Sequence, residues 1–322
     1  MKLLVLGGAG MLGHELAASL AGRHDVGVTL RGTSARPRIS RPRGARPGAD
    51  PWDGALPPDR IFPGLDVRCQ DDLAALLADF HPDAVLNAVG LGKERREGRT
   101  PLPAVEINTV FPHRLARLCR VAGIRMLHVS TDCVFSGRRG RYTEDDAPDP
   151  VDVHGMSKLL GEIHEAPAVT LRTSILGLAP VGRRTGLVEW FLAQSGQVSG
   201  HRRAIYTGLT TMELARVVDR LLTKHEDLTG LWHVAMPEAI SKHDLLTRLA
   251  DRLRRAGEDR QIAEVVPADG PACDRSLLAD RFAEATGYTA PGWDAMLDEL
   301  VERITLRDAG GGAGGGAGGR HG

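Results

Sequence analysis

The sequence predicts an α/β protein: a doubly wound parallel sheet carrying a smaller C-terminal lobe. Three observations point there. Short apolar runs bounded by turns alternate with longer segments of helical period from Lys2 to Asp132. A glycine-rich turn joins the first apolar run directly to the first helical segment. Beyond Val169 the alternation loosens, which marks a change of architecture. Strands alternating with helices imply right-handed βαβ units and hence a parallel sheet covered on both faces.

Each element follows from its residues. "KLLVLGG" is apolar without alternation, as a strand buried on both faces must be. "MLGHELAASLAG" is a helix, "DVGVTLRG" a strand, "QDDLAALLADF" a helix, "DAVLNAVG" a strand, "NTVFPHRLARLCRVAG" a helix and "RMLHVSTD" a strand. Past Val169, "VTLRTSIL" reads as one further strand, and "GLVEWFLAQ" and "TMELARVVDRLLTKH" as helices. "SKHDLLTRLADRLRRAG" is a helix of the smaller lobe. The expected division is a Rossmann-type nucleotide-binding domain over 1–170 and a mainly substrate-binding lobe over 171–305, with segments returning to the first domain. A glycine-rich tail over 306–322 cannot bury a core and is expected to be disordered. "TSARPRISRPRGARPGADPWDG", rich in Pro, Arg and Gly, is expected to be an exposed, solvated loop.

With 322 residues, 42% hydrophobic and 25% charged, the chain can bury a full core. Its formal net charge is zero, so no partner such as nucleic acid or an anionic membrane is called for. Cys69, Cys119, Cys133 and Cys273 form no CxxC pair, which suits a reducing compartment. "LLVLGGAGMLG" is too short to span a bilayer, and no cleavable signal pattern precedes it. A cytoplasmic location is expected.

Gly7, Gly10 and Gly13 in "VLGGAGMLGHEL" leave a strand and open a helix. That context lets the backbone from Gly7 through Met11 and Leu12 approach a pyrophosphate, met by free N–H groups and the helix dipole. At the end of the second strand an NAD-binding chain usually offers Asp or Glu to the adenosine ribose. Here stands Arg31, and Arg36 follows in the loop, so NADP is favoured over NAD. Asp66 and Val67 are expected to end the next strand beside the adenine. Asn87 and Ala88, in "NAVG", are expected beside the nicotinamide ribose.

With these residues in place, "HVSTDCVFSG", "YTEDDAPDP" and "GMSKLLGE" resemble an extended short-chain dehydrogenase/reductase, and within it the dTDP-4-dehydrorhamnose reductase branch. The similarity runs from Met1 to about Ile304. It implies reduction of the 4-keto group of a nucleotide-activated deoxysugar with NAD(P)H, in polysaccharide or natural-product sugar biosynthesis. It also implies Thr131 as a hydroxyl for the ketone and Lys158 as the cation that tunes the proton donor and holds the nicotinamide ribose. Ser130, Asp132, Arg172 and Trp190 are implied at the substrate, and a homodimer is a possible assembly. Trp190 and Phe191 are equally of the type that packs a core.

The chain departs from the family at one catalytic position. His154 stands where the tyrosine should be, four residues before Lys158 and on the same helical face. None of Tyr142, Tyr206 and Tyr288 is followed by lysine at that spacing. An imidazolium, with a pKa of about 6.5, is a better acid than a phenol of about 10. Lys158 carries a like charge and depresses the histidine, leaving mostly neutral imidazole at pH 7, which still donates a hydrogen bond but is a poor proton source. His14, His113, His128 and His233 show no metal-binding spacing. Three classes stay open: the reductase, a non-catalytic NADP-binding regulatory subunit, and a related sugar-nucleotide epimerase or dehydratase.

Overall fold

The computed structural model describes residues 1–32, 56–180, 185–257 and 261–311. The arginine-rich loop with Arg36, and the glycine-rich tail beyond 311, lie outside the described residues.

The central sheet has seven parallel strands. β1 (Lys2–Leu6) lies in its middle, with β2 (Asp25–Leu30) and β3 (Ile61–Pro63) stepping out on one side. The chain then crosses over to β4 (Ala84–Asn87), which pairs with the other side of β1, and continues through β5 (Arg125–Val129) to β6 (Ala168–Arg172). Reversal of direction between β1 and β4 opens a crevice at the carboxyl ends of those two strands, where Leu6 is in register with Asn87.

Side-chain alternation explains how one apolar strand serves two cores. Leu3 and Val5 enter a cluster with Leu12 and Leu16 of α1 (Met11–Leu20). Leu4 and Leu6 point the other way, to Leu73 and Leu77 of α2 (Gln70–Phe80) and to Phe111. All four strand residues are wholly buried, so truncating any of the three leucines to alanine costs about 2–5 kcal/mol.

The segment predicted as one helix from Asn108 is longer and broken. α3 (Pro101–Ala104) runs through a π turn over Val105–Val110 into α4 (Phe111–Ala122), where the Phe111 N–H bonds the Glu106 carbonyl five residues back. Pro112 has no N–H to give to the Asn108 carbonyl, so the widened turn forms at this point. α5 (Val153–Leu159) is capped by Asp152, whose carboxylate accepts the Gly155 N–H at 2.7 Å.

"VTLRTSIL" is two strands. β6 ends at Arg172, and β7 (Ile175–Leu176) belongs to a different pair with β10 (Leu209–Thr210). Close approach of the Gly208 backbone to the Ser174 carbonyl fixes the break. α6 (Leu187–Leu192), β8 (Gln197–His201) and β9 (Ala204–Tyr206) precede β10, and α7 (Thr211–Lys224) follows it and packs on α1. Thr210 caps α7 by accepting the Glu213 N–H, as a Thr-x-x-Glu start requires. β11 (Gly230–His233) returns to the central sheet beside β6. β12 (Ile240–Ser241), α8 (Lys242–Arg255), β13 (Glu264–Ala268), β14 (Cys273–Asp274), α9 (Asp280–Thr286) and α10 (Trp293–Gly311) complete the C-terminal half.

Candidate active site

The glycine turn divides its work between three residues. Gly7 has φ +87, a left-handed value that only glycine adopts freely, and its N–H donates to the Thr29 hydroxyl at 3.2 Å. A Cβ on Gly13 would overlap the Gly7 carbonyl oxygen, so this glycine seats α1 against the turn. A Cβ on Gly10 would meet only the Gly7 oxygen, at 3.2 Å, and otherwise open space. Gly10 caps α1 with no side-chain bond, leaving the first N–H groups of the helix unclaimed by side chains. This cradle fits a dinucleotide pyrophosphate.

Around it, the expected residues divide. Arg31 is exposed past β2, in the electrostatic reach of Asp66. Asp66 and Val67 do not end a strand: β3 stops at Pro63, and both residues lie in the connection to α2. The Asp66 carboxylate is gripped by Arg68 at 3.0 and 2.6 Å, which holds its pKa down at about 2. Asn87 is buried, with its amide oxygen accepting the Val89 N–H at 3.1 Å and its amide nitrogen 3.0 Å from His128 Nδ1. Ala88 continues the strand by donating to the Leu6 carbonyl.

Lys158 is buried, not a helix-surface residue, and its Nζ donates to the Val129 carbonyl at 2.5 Å, at the end of β5. Burial lowers its pKa to about 8, opposed by the charge of Glu162. Gly90, just past β4, faces the same ammonium. His154 lies on the same helix, with Nδ1 2.9 Å from the Leu91 carbonyl oxygen. Burial lowers the His154 pKa, and Lys158 and Lys93 add to this, against the Leu91 bond and Asp152. The carbonyl can only accept, so the donor N–H of a neutral ring is already used and Nε2 is left as an acceptor. Neutral His154 therefore has no hydrogen bond to give a ketone, contrary to the expectation from sequence.

Thr131 is buried at the start of a short turn. Its hydroxyl donates to Asp132 at 3.1 Å and accepts the Cys133 N–H at 3.1 Å. Asp132 is buried beside it. Lys93 Nζ lies 3.8 Å from the Cys133 sulfur, whose pKa burial pushes up to about 12.

Two expected substrate contacts are structural. Arg172 is buried and pairs with Glu162 through two 2.8 Å bonds, and the Ser130 hydroxyl donates to the same carboxylate at 2.6 Å. Neither polar group is turned to a ligand, because a buried guanidinium needs this partner. Trp190 is exposed on α6, while Phe191 is core. Gly186, which opens α6, sits against Met11 of the glycine turn.

Sequence reasoning missed Leu91 and Asn108, which hold His154, and Lys93 and Arg275 beside the segment Cys133 to Phe135. Arg275 donates Nε to the Phe135 carbonyl at 2.9 Å and lies within the fields of Asp132 and Asp152. The Tyr206 hydroxyl is buried with no partner among the described residues. Among the described residues, no group of three His, Cys, Asp or Glu could hold a metal ion and no helix is long and apolar enough to cross a membrane.

The seven-stranded parallel sheet, the glycine turn at its switch point and the helix carrying Lys158 define a protein of the extended short-chain dehydrogenase/reductase class. Within it, the chain belongs to the RmlD substrate binding domain family, whose model matches residues 1–306. A dTDP-4-dehydrorhamnose reductase of Mycolicibacterium smegmatis is 31% identical over 264 residues, 74% of this chain and 75% of that protein. The dTDP-4-dehydrorhamnose reductase of Sinorhizobium fredii is 25% identical over 269 residues, 76% and 88% of the two chains. Methionine adenosyltransferase 2 subunit beta of Danio rerio is 28% identical over 204 residues, 59% of this chain and 62% of that one. A dTDP-4-dehydrorhamnose reductase of Bacillus anthracis, solved in complex with NADP, has the same fold, with a TM-score of 0.70 at 18% identity over 94% of this chain and 99% of that one.

Proposed function

We propose that this chain reduces the 4-keto group of a nucleotide-activated deoxysugar with NADPH, in the manner that the names of its reductase relatives describe. The observation that carries the reading is α5, which sets a buried Lys158 and His154 one turn apart at the carboxyl ends of β4 and β5, beside the open glycine cradle.

The roles follow from the groups. Backbone N–H groups from Gly7 through Met11, Leu12 and Gly13 hold the pyrophosphate, and Arg31 meets a 2′-phosphate. Asp66 and Val67 flank the adenine, and Asn87, Ala88 and Lys158 hold the nicotinamide end. A bound reduced nicotinamide supplies a hydride. Thr131 steadies the ketone oxygen after giving up its bond to Asp132, and His154 supplies the proton. Asp132, Trp190, Lys93 and Arg275 meet the sugar nucleotide, whose diphosphate suits the two cations. Residues 1–170 serve mainly the cofactor and 171–305 mainly the substrate, in a cytoplasmic homodimer. The exposed apolar side chains Leu102, Val105, Met156 and Leu160 of the α3–α5 face support self-association.

A second reading, an NADP-binding subunit without turnover, draws on the lowered pKa of His154 and on the likeness to a methionine adenosyltransferase subunit. Incubation with NADPH and a panel of dTDP- and UDP-4-keto-6-deoxysugars separates the two. Consumption of reduced cofactor with a 4-hydroxy sugar nucleotide as product supports the reductase, and tight NADPH binding without consumption of any panel member supports the subunit. Arg31→Asp should weaken NADPH far more than NADH in a fluorescence titration, and equal loss would remove Arg31 from the cofactor site.

A further inference from the structure

We propose that Asn108, acting through the Leu91 backbone, is the positioning residue that fixes His154 as its Nδ1–H tautomer, so that Nε2 is the proton-exchanging atom of the site. The inference deepens the reductase reading and rests on it for its consequence in catalysis, but not for its structural content.

Asn108 sits in the π turn, almost wholly buried. Its side-chain oxygen accepts the Leu91 N–H at 2.8 Å, and its side-chain nitrogen donates back to the Leu91 carbonyl at 3.1 Å. Because a backbone N–H can only donate, the orientation of this amide is forced. The same nitrogen lies 3.0 Å from Ser157 Oγ, which donates to the His154 carbonyl at 3.0 Å. Leu91 thus has both backbone polar groups clamped, and its carbonyl has two donors, Asn108 Nδ2 and His154 Nδ1. A Cβ on Gly161 would overlap the Asn108 carbonyl oxygen, so the end of α5 closes directly on the π turn. The clamp and the helix that carries His154 are one packed unit.

A carbonyl oxygen beside Nδ1 keeps that nitrogen protonated in both charge states of the ring. All titration then occurs at Nε2. The charged groups that face the ring are Lys158 on its own helix, Lys93 from the segment after β4, and Asp152 at the helix cap. A neutral ring offers Nε2 only as an acceptor and so favours the alcohol over the ketone. In reduction, the Nε2–H bond breaks and the alcohol O–H forms as the carbonyl carbon accepts the hydride supplied by the bound cofactor. His154 is left neutral and is recharged from water. A tyrosine here would donate in its neutral form, so the clamp matters to this chain because the residue is histidine.

The test is a long-range proton–nitrogen spectrum of the full chain labelled with ¹⁵N-histidine, with His154 assigned by its loss in His154→Phe. Above the ring pKa, wild type should show Nδ1 protonated and Nε2 bare, and only Nε2 should move on titration. Asn108→Ala removes both of the amide's bonds to Leu91 and its bond to Ser157, and should raise the Nε2–H share about tenfold as the His154 Nδ1–Leu91 bond loosens. It should also lower kcat with little change in KM. Should Asn108→Ala fail to fold, the near-isosteric Asn108→Asp keeps the acceptor for the Leu91 N–H, removes the donor to the Leu91 carbonyl and to Ser157, and should shift the same ratio. A wild-type ring protonated at Nε2, or a ratio unmoved in a folded Asn108 variant, overturns the proposal. The spectrum requires no turnover, so a failure of the reductase reading leaves this outcome legible.

Discussion

The Arg172 guanidinium and the Glu162 carboxylate meet through two 2.8 Å bonds with both side chains closed to solvent. Ser130 adds a third bond to the carboxylate, and His233 Nε2 lies 3.4 Å from the arginine. Removing one member leaves the other charged and buried. Arg172→Met should therefore destabilise the fold by about 3–5 kcal/mol in a denaturant titration, while Kd for a sugar nucleotide stays unchanged in the folded fraction. An Arg172→Met variant of normal stability that no longer binds sugar nucleotide would make Arg172 a ligand residue.

This pair shows where sequence reading stops. The run Leu3–Leu6 and the alternation of later strands and helices are local signals, and they carried the parallel sheet and the place of the glycine turn. Arg172, expected at the substrate, stands within the apolar run "VTLRTSIL". Its partner is ten residues away on the other side of a chain reversal, and no period or motif links the two. Asn108 was hidden in the same way, being bonded to Leu91 and Ser157, seventeen and forty-nine residues distant. Its one sequence trace is Pro112, which lacks the N–H that an unbroken helix would direct to the Asn108 carbonyl. That His154 stands four residues before Lys158 was plain in the sequence. The tautomer was not, because it depends on a carbonyl sixty-three residues earlier.

The glycines of the turn should separate by substitution. Gly10→Val should keep the fold and abolish NADPH binding, since its side chain enters the open cradle and not packed protein. Gly13→Val drives a side chain into the Gly7 backbone and should lower Tm before any ligand is added. Equal loss of stability in both variants would mean that the space beside Gly10 is not a cofactor site.

His233 should make the protein acid-sensitive. Burial, with the nearby charge of Arg172, lowers its pKa to about 4 from an ordinary 6.5. The unfolded chain then binds more protons than the folded one between these values, so stability is full above pH 6.5 and falls as pH drops toward 4. The loss at this residue is on the order of 3 kcal/mol. His233→Gln should flatten the dependence of Tm on pH over that window, and an unchanged slope would assign the acid sensitivity elsewhere.

The pH dependence of kcat/KM for NADPH oxidation with a 4-keto-6-deoxysugar tests the proposed role of His154 as the acid of a sugar-nucleotide reductase. The rate should rise as pH falls, levelling off below the lowered His154 pKa, because only the charged ring gives up a proton. His154→Phe should lose about 10²-fold or more of the rate together with the pH dependence. A flat profile that survives His154→Phe would contradict the claim, as would a wild type that binds NADPH without turnover while His154→Tyr gains activity.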